Sequence, residues 1–379
     1  MKNVQYVIGT QFGDEGKGKT VQYLCKKAIS EGKRPLVVRY CSGPQASHTV
    51  FYNGVTHVCS SFGSGVLLGI PTLIIDDTST FVDPIALRAE YDVLKAKGLD
   101  PKFYVTDYCY VITPYDIIAN RRNDDSLRNG TCGKGVWETM ARNDINFIGG
   151  PYLNNLEQLN RHSLEIAAKF YGITRSQQLE DKFIEDLRFV ESQPKINPKD
   201  YDVIIMESSQ GLLLDGKYGL KPYITPAQIV PKVNNYTGRI LSPFVTTDSD
   251  VEIFLCTRTY TTRHGAGYEP IPSEYIKYPN YETNKDNSLQ GTFKTGMLDI
   301  DLINRGIDRC CLDNIEGVKF NLVINHMDCL DENYFEYILG NRCFTESSKD
   351  AASLIEESIR LNFEHVYLGY SPASNFTVK

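Results

Sequence analysis

The sequence predicts an α/β protein built on a doubly wound, mostly parallel sheet with inserted helices and loops. Three observations carry that prediction. Short apolar runs rich in Val, Ile and Tyr alternate with helix-length segments from end to end, the order expected when a crossover helix follows each strand. The first run leads directly into a glycine-rich loop and then a helix. The 379 residues are enough for a large buried core without disulfide staples, and a single α/β domain over 1–379 with insertions is the simplest organisation.

Strands are expected at Val4–Ile8, Leu36–Arg39, Leu73–Ile75, Phe103–Thr106, Val203–Met206, Val251–Cys256, Phe320–Asn325 and His365–Leu368, each a short apolar run of the kind a strand buried on both faces requires. Lys19–Ser30 reads as the first helix. Leu156–Gln193 carries two helical stretches interrupted near Gly172, with charged residues toward solvent. From Tyr268 to Thr295 the chain is dense in Pro, Tyr, Asn and Glu without a sustained period, and so reads as a long loop region; loops of that length are commonly functional.

Charge and cysteine usage narrow the partners. Forty basic residues against 47 acidic ones give a net charge of −7, and basic pairs such as Lys26-Lys27 and Arg121-Arg122 stand alone, which disfavours nucleic-acid binding. No window offers the roughly 18 uninterrupted apolar residues of a membrane span, and the N-terminus carries no secretory pattern. A cytoplasmic protein without membrane or nucleic-acid partners is expected. The ten cysteines include no CxxC pair, and Cys310 and Cys311 are neighbours, so buried reduced thiols are expected and a structural zinc site is not.

The chemistry concentrates first in Gly13-Asp14-Glu15-Gly16-Lys17-Gly18-Lys19-Thr20. This stretch satisfies G-x-x-x-x-G-K-[ST] between a strand and a helix, where backbone N–H groups and the helix N-terminus favour phosphate. Asp14 and Lys17 inside the loop depart from an ordinary phosphate loop: a carboxylate beside transferring phosphates is repulsive unless it binds a metal or removes a proton. After the second strand comes a small-residue turn, Ser42-Gly43-Pro44-Gln45-Ala46-Ser47-His48-Thr49, holding a histidine.

With these residues in view, the sequence resembles the adenylosuccinate synthetase family, purine-biosynthesis enzymes that use GTP and aspartate to aminate IMP. Gly9 to Lys19 is close to that family's signature. Further matches follow in the family's order: Asp83-Pro84, Gly130 to Gly135, Glu207 to Gly211, Pro222 to Thr225, Tyr260 to Gly267, Gly296 to Asp299, and Asn325-His326-Met327-Asp328. The resemblance implies that Asp14 takes the N1 proton of a 6-oxopurine monophosphate, that His48 donates to O6 and the transferring phosphoryl group, and that Lys17 neutralises charge there. It assigns the nucleotide to Gly13, Glu15, Gly16, Gly18, Lys19, Thr20, Thr49, His326, Asp328, Ser371 and Pro372, with Asp328 reading the guanine edge and His326 standing where the family has a lysine. It assigns the purine monophosphate and the amine to Gln45, Thr131, Cys132, Lys134, Arg142, Gln210, Thr225, Arg263, Thr292 and Lys294. Arg142 would serve the pocket of a second subunit in a homodimer. Magnesium is the implied cofactor, held at Asp14 and Ser47.

Three departures qualify what the resemblance implies. Gln45 to His48 replaces Asn-Ala-Gly-His, and Cys132 replaces a threonine; Ser47 fits in place of glycine only where φ is negative. At Ser288 to Gly296 the family has arginines for the aspartate carboxylates, and only Lys294 is cationic here. Aspartate is therefore expected to be a poor or unconventional donor unless Lys134, Arg263 or a loop cation such as Lys285 replaces them. Some phage relatives act on dGMP and share the compact length and the ending Tyr367 to Pro372, but they carry a small residue in place of the loop aspartate, and Asp14 is kept here. Alternative readings are thus a synthetase using (d)GMP or another amine, or a catalytically silent nucleotide-binding paralogue.

Overall fold

The computed structural model of the chain describes residues 2–41, 43–75, 80–107, 109–124, 128, 130–143, 156, 159–234, 236–279, 281–282, 284–286 and 288–379. Ser42 of the predicted turn lies outside them. A nine-stranded sheet forms the centre. Its strands, numbered in chain order, are β1 (Asn3–Gly9), β2 (Pro35–Cys41), β3 (Thr72–Ile74), β4 (Phe103–Val105), β5 (Val203–Gly211), β6 (Asp250–Arg258), β7 (Val318–Asn325), β8 (His365–Leu368) and β9 (Thr377–Val378). They lie side by side as β9, β8, β7, β6, β1, β5, β2, β3, β4. All neighbours are parallel except β8 and β9.

Every predicted strand takes a place in this sheet. Two differences have physical causes. β5 runs on to Gly211 because its polar end, Glu207 to Ser209, is buried among other polar groups, whereas an apolar pattern ends at Met206. β9 is a two-residue antiparallel edge, too short to show a period. The helix α1 (Lys17–Ser30) follows β1. Helices Arg161–Phe170 and Gln177–Glu191 flank the break at Gly172, which takes a φ of 62°. The described residues of Tyr268–Thr295 are largely irregular, but the segment's end enters a strand, Phe293–Gly296, antiparallel to Thr261–His264.

The strand order fixes where a ligand can sit. β1 is central, and the chain leaves it for β2 while β5 later fills the gap between them. Connections on either side of β1 therefore diverge, opening a crevice at the carboxyl ends of β1, β5 and β6. Val4, Val7 and Ile8 are fully buried, so the floor of that crevice is rigid. Among the described residues no helix is long and apolar enough to cross a membrane.

Away from the sheet, Arg142 corrects one expectation. It does not reach outward to a second subunit. Its side chain is fully buried, with Nε donating to Asp116 Oδ1 and Nη2 to Asp116 Oδ2, each at 2.8 Å, and Nη2 also donating to the Val111 carbonyl at 2.9 Å. Tyr171 and Thr113 donate to the same carboxylate, and Asp116 completes the capping box of helix Pro114–Arg122. Removing one partner of such a pair strands a buried charge, at a cost of about 3–5 kcal/mol. Arg142→Ala should lower the unfolding free energy by about that amount in urea titration; a variant of unchanged stability that lost only turnover would return Arg142 to a ligand pocket.

Candidate active site

The loop after β1 is closed by a buried carboxylate. Glu15 is 2% exposed, and its Oε1 accepts from the backbone N–H of Gln11 at 2.7 Å and of Gly13 at 3.2 Å. Its Oε2 pairs with Lys17 Nζ at 3.2 Å. A Cβ on Gly9 would lie 2.1 Å from that Oε2, so glycine is required for the carboxylate to fit. Gly16, with a φ of 78°, caps α1 without any side-chain hydrogen bond. The first N–H groups of the helix are left toward the cleft, the arrangement that attracts phosphate. Asn325 at the end of β7 ties this turn down, Nδ2 donating to the Glu15 carbonyl at 2.8 Å.

Asp14 stands at the crest of the loop in a left-handed conformation, φ 62°. Its Oδ2 lies 3.3 Å from His264 Nε2, and its carbonyl accepts from Arg258 Nε. Burial pushes the Asp14 carboxyl upward, but the His264 hydrogen bond and the charges of Arg258, His264 and Lys17 more than offset it, leaving it below the ordinary range. His48 begins the strand His48–Tyr52. Its Nδ1 is 2.5 Å from Glu207 Oε1, and its Nε2 is 3.3 Å from the Ser209 carbonyl. Arg39 and Ser64 hold the same Glu207 carboxylate. Burial lowers the basicity of His48, with Arg39 and Lys17 adding to it and Glu207 opposing.

Two cavities meet at these residues. A cleft of about 610 Å³ is lined by Gly13, Asp14, Gln45, Ser47, His48, Thr131, Cys132, Gln210, Thr225, Arg263, His264 and Lys285, among others. A smaller cleft of about 120 Å³ is lined by Glu15, Gly16, Lys17, Gly18, Lys19, Thr49, His326, Ser371 and Pro372. Asp14, Ser47, His48 and Asn284 line both. Ser47 keeps a negative φ, so its replacement of glycine carries no backbone strain.

Other predicted residues lie elsewhere. Glu15 reaches the smaller cleft, yet its carboxylate is turned inward to hold the loop. Thr20 lines neither cleft; its hydroxyl donates to the Gly16 carbonyl at 3.1 Å. Asp328 also lines neither, and it accepts from the Tyr281 hydroxyl. Lys294 pairs with Glu269, the Thr292 carbonyl accepts from Gly265 N–H at 2.9 Å, and Lys134 acts on the helix-capping Asp83; none of these three lines the clefts. Arg263 does, but its guanidinium donates to the Ala266 carbonyl.

Glu207, His264, Arg258, Arg39 and Asn325 were not singled out as site residues by the sequence. Signals existed for four of them: Glu207, His264 and Asn325 lie in stretches that match the family, and Arg39 interrupts an apolar strand. What the sequence did not show for His264 is its partner, because Asp14 is distant in the chain.

Comparison with known proteins agrees with this architecture. The family model for adenylosuccinate synthetase matches residues 6–332. Adenylosuccinate synthetase of Bacteroides thetaiotaomicron is 30% identical over 292 residues, covering 72% of this chain and 65% of that relative. The Francisella tularensis protein is 28% identical over 361 residues, covering 87% and 80%. The chain thus spans just under two thirds of the length of the first of these relatives. Fully ligated adenylosuccinate synthetase from Plasmodium falciparum superposes with a TM-score of 0.71 at 17% identity, covering 100% of both chains. The succinoaminodeoxyadenylate synthetase of cyanophage S-2L, bound to dGMP and dATP as an energy donor, gives 0.61 at 17% identity, covering 99% and 94%. Both structural likenesses speak to fold alone. Since the family model spans most of the sequence and both structures share its fold, the chain belongs to the adenylosuccinate synthetase family.

Proposed function

We propose that the chain is a GTP-dependent ligase that phosphorylates O6 of a 6-oxopurine monophosphate and displaces that oxygen with an amine. The observation that carries this reading is the wall shared by the two clefts. Asp14 and His48 line both, so they can act on an acceptor in the larger cleft and on phosphates in the smaller one. Gln45 supports an acceptor with polar edges: neither atom of its buried amide has a partner among the described residues, and such groups are left unpaired where a ligand satisfies them.

In this reading the triphosphate lies against the N-terminus of α1 with Lys19 beside it. Asp14 accepts the N1 proton of the purine, which moves charge onto O6. O6 then forms a bond to the terminal phosphorus as the bond to the diphosphate breaks, and His48 donates to the oxygens that gain charge. The amine lone pair next attacks C6, phosphate leaves with the C6–O bonding pair, and the amine loses a proton. Magnesium, when bound, supplies positive charge against the phosphates; Asp14 and Ser47 offer the oxygen ligands a hard cation prefers. Asp14 favours a purine without a 2-amino group. The dGMP bound to the phage enzyme keeps that acceptor as the second reading.

The test is a screen of purine monophosphates against amines with GTP, read as phosphate release and product mass. Phosphate should appear only with both acceptor and amine present, and Asp14→Ala should lower kcat by about 10²-fold or more while GTP still binds. Binding of GTP without phosphate release under any combination would leave only a silent nucleotide-binding protein.

The amine end is short of cations. Arg263 and Lys294 are engaged as described, whereas Lys285, exposed along the larger cleft, has no ion-pair partner among the described residues. Among the described residues lining the cleft, two aspartate carboxylates would therefore meet one unengaged ammonium, Lys285, and one guanidinium, Arg263, that keeps its charge but spends Nε and Nη2 on the Ala266 carbonyl. KM for aspartate should be millimolar, and Lys285→Ala should raise it by about 10- to 100-fold, since a charge-assisted contact contributes about 1.5–3 kcal/mol. A micromolar KM in the wild type would refute this.

Nucleotide affinity should depend on pH through Lys19. Burial lowers its ammonium to about 8, partly offset by the charge of Asp328. Below that pH the side chain is charged and attracts phosphate. Above it the proton is lost and the attraction with it, so Kd for GTP should weaken by up to about tenfold per unit, with proton uptake on binding detectable by calorimetry in buffers of different ionisation heat. A Kd that stays flat from about pH 6.5 to about pH 9.5 would exclude Lys19 from phosphate binding.

A further inference from the structure

His326 and Tyr281 form one wall of the smaller cleft. Tyr281 lines it together with His326, Ser371 and Pro372. The phenol ring stacks on the His326 imidazole, with centroids 6.1 Å apart and planes at 28°, and its hydroxyl donates to Asp328 Oδ2. The imidazole is itself held firmly. Its residue adopts a φ of 60°, the His326 carbonyl accepts from Thr259 Oγ1 at 2.8 Å, and the ring meets the edge of Tyr260 at 5.8 Å. Asp328 is exposed but does not line the cleft; Tyr281, which does, engages its Oδ2.

If the smaller cleft holds the triphosphate, as proposed above, the family resemblance seats the base on His326 with Asp328 as its acceptor. Tyr281 already makes both contacts: it stacks as a base would stack and donates as guanine N1–H or its 2-amino group would donate. We propose that Tyr281 occupies the seat of the nucleotide base and is the residue that sets how strongly guanine is selected. A guanine edge uses both carboxylate oxygens of Asp328, so it binds there only by displacing the phenol hydroxyl from Oδ2. Guanine replaces one donor with two, whereas adenine presents an acceptor, N1, beside its single amino donor. With Tyr281 in place, the bond that guanine must first break reduces its advantage over adenine. Without the hydroxyl, that advantage is expressed in full.

The experiment compares calorimetric affinities of non-hydrolysable GTP and ATP analogues for the wild type, Tyr281→Phe, and Tyr281→Phe combined with Asp328→Asn. Tyr281→Phe keeps the ring and removes only the donor. It should tighten the GTP analogue by about three- to tenfold and change the ATP analogue by less than about twofold, and Asp328→Asn should cancel the gain. Weaker or unchanged binding of the GTP analogue to Tyr281→Phe, with measurable binding to the wild type, would show that the phenol supports the seat and does not occupy it. Binding of neither analogue to any of the three proteins would mean that the cleft is not a triphosphate site, and the assignment of Tyr281 would fall with that reading.

Discussion

The carboxylate of Glu15 is the constraint on which the site depends. It is buried beneath the loop after β1, where it satisfies two backbone N–H groups and a lysine ammonium together. Each of those donors would cost about 1–3 kcal/mol if left buried and unpaired, more for the charged one. The loop is thereby pinned from inside. Its outer surface, the free N-terminus of α1 and the crest at Asp14, follows from that pinning. The absence of a side chain at Gly9 and Gly211, against which the Glu15 carboxylate rests, extends the constraint to the ends of β1 and β5.

Of the residues facing both clefts, His48 and Asp14 are held by different means. His48 is fixed by a buried polar network in which Glu207 accepts from Ser64 and pairs with Arg39 as well as with the imidazole. A network satisfied at every oxygen is rigid, and its low-dielectric surroundings strengthen each bond. Asp14 is more exposed and, among the described residues, depends on one side-chain partner, His264, and on the left-handed turn beneath it. That turn aims its carboxylate across the boundary between the two clefts. The contrast suits the roles proposed for them, a fixed donor beside a base that meets an incoming ligand.

Much of the fold was legible because parallel strands buried on both faces have to be continuously apolar, and runs such as Val4–Ile8 and Phe320–Asn325 have few other uses. The phosphate loop was legible for a related reason, as glycines at fixed spacing encode a backbone path. Legibility failed where direction mattered. Glu15 reads as a nucleotide contact, but its carboxylate turns inward beneath the loop. Thr20 reads as a phosphate ligand and bonds its own helix. Arg142 reads as a surface cation serving a neighbour and instead anchors Asp116 in the interior. Residue type and spacing do not reveal which way a side chain turns.

What the sequence by itself determined is the succession of strands and helices, the loop conformation between β1 and α1, and the set of polar residues available near it. These follow from short-range sterics and from the period of apolar residues, which act over a few positions. Only the tertiary structure decided that β5 lies between β1 and β2, that Glu207 therefore meets His48, that His264 meets Asp14, and that Tyr281 rests on His326 and Asp328. Each of those pairings joins residues distant in the chain. Their meeting depends on the order of strands in the sheet, and that order is selected by burial of the whole core rather than by any local signal.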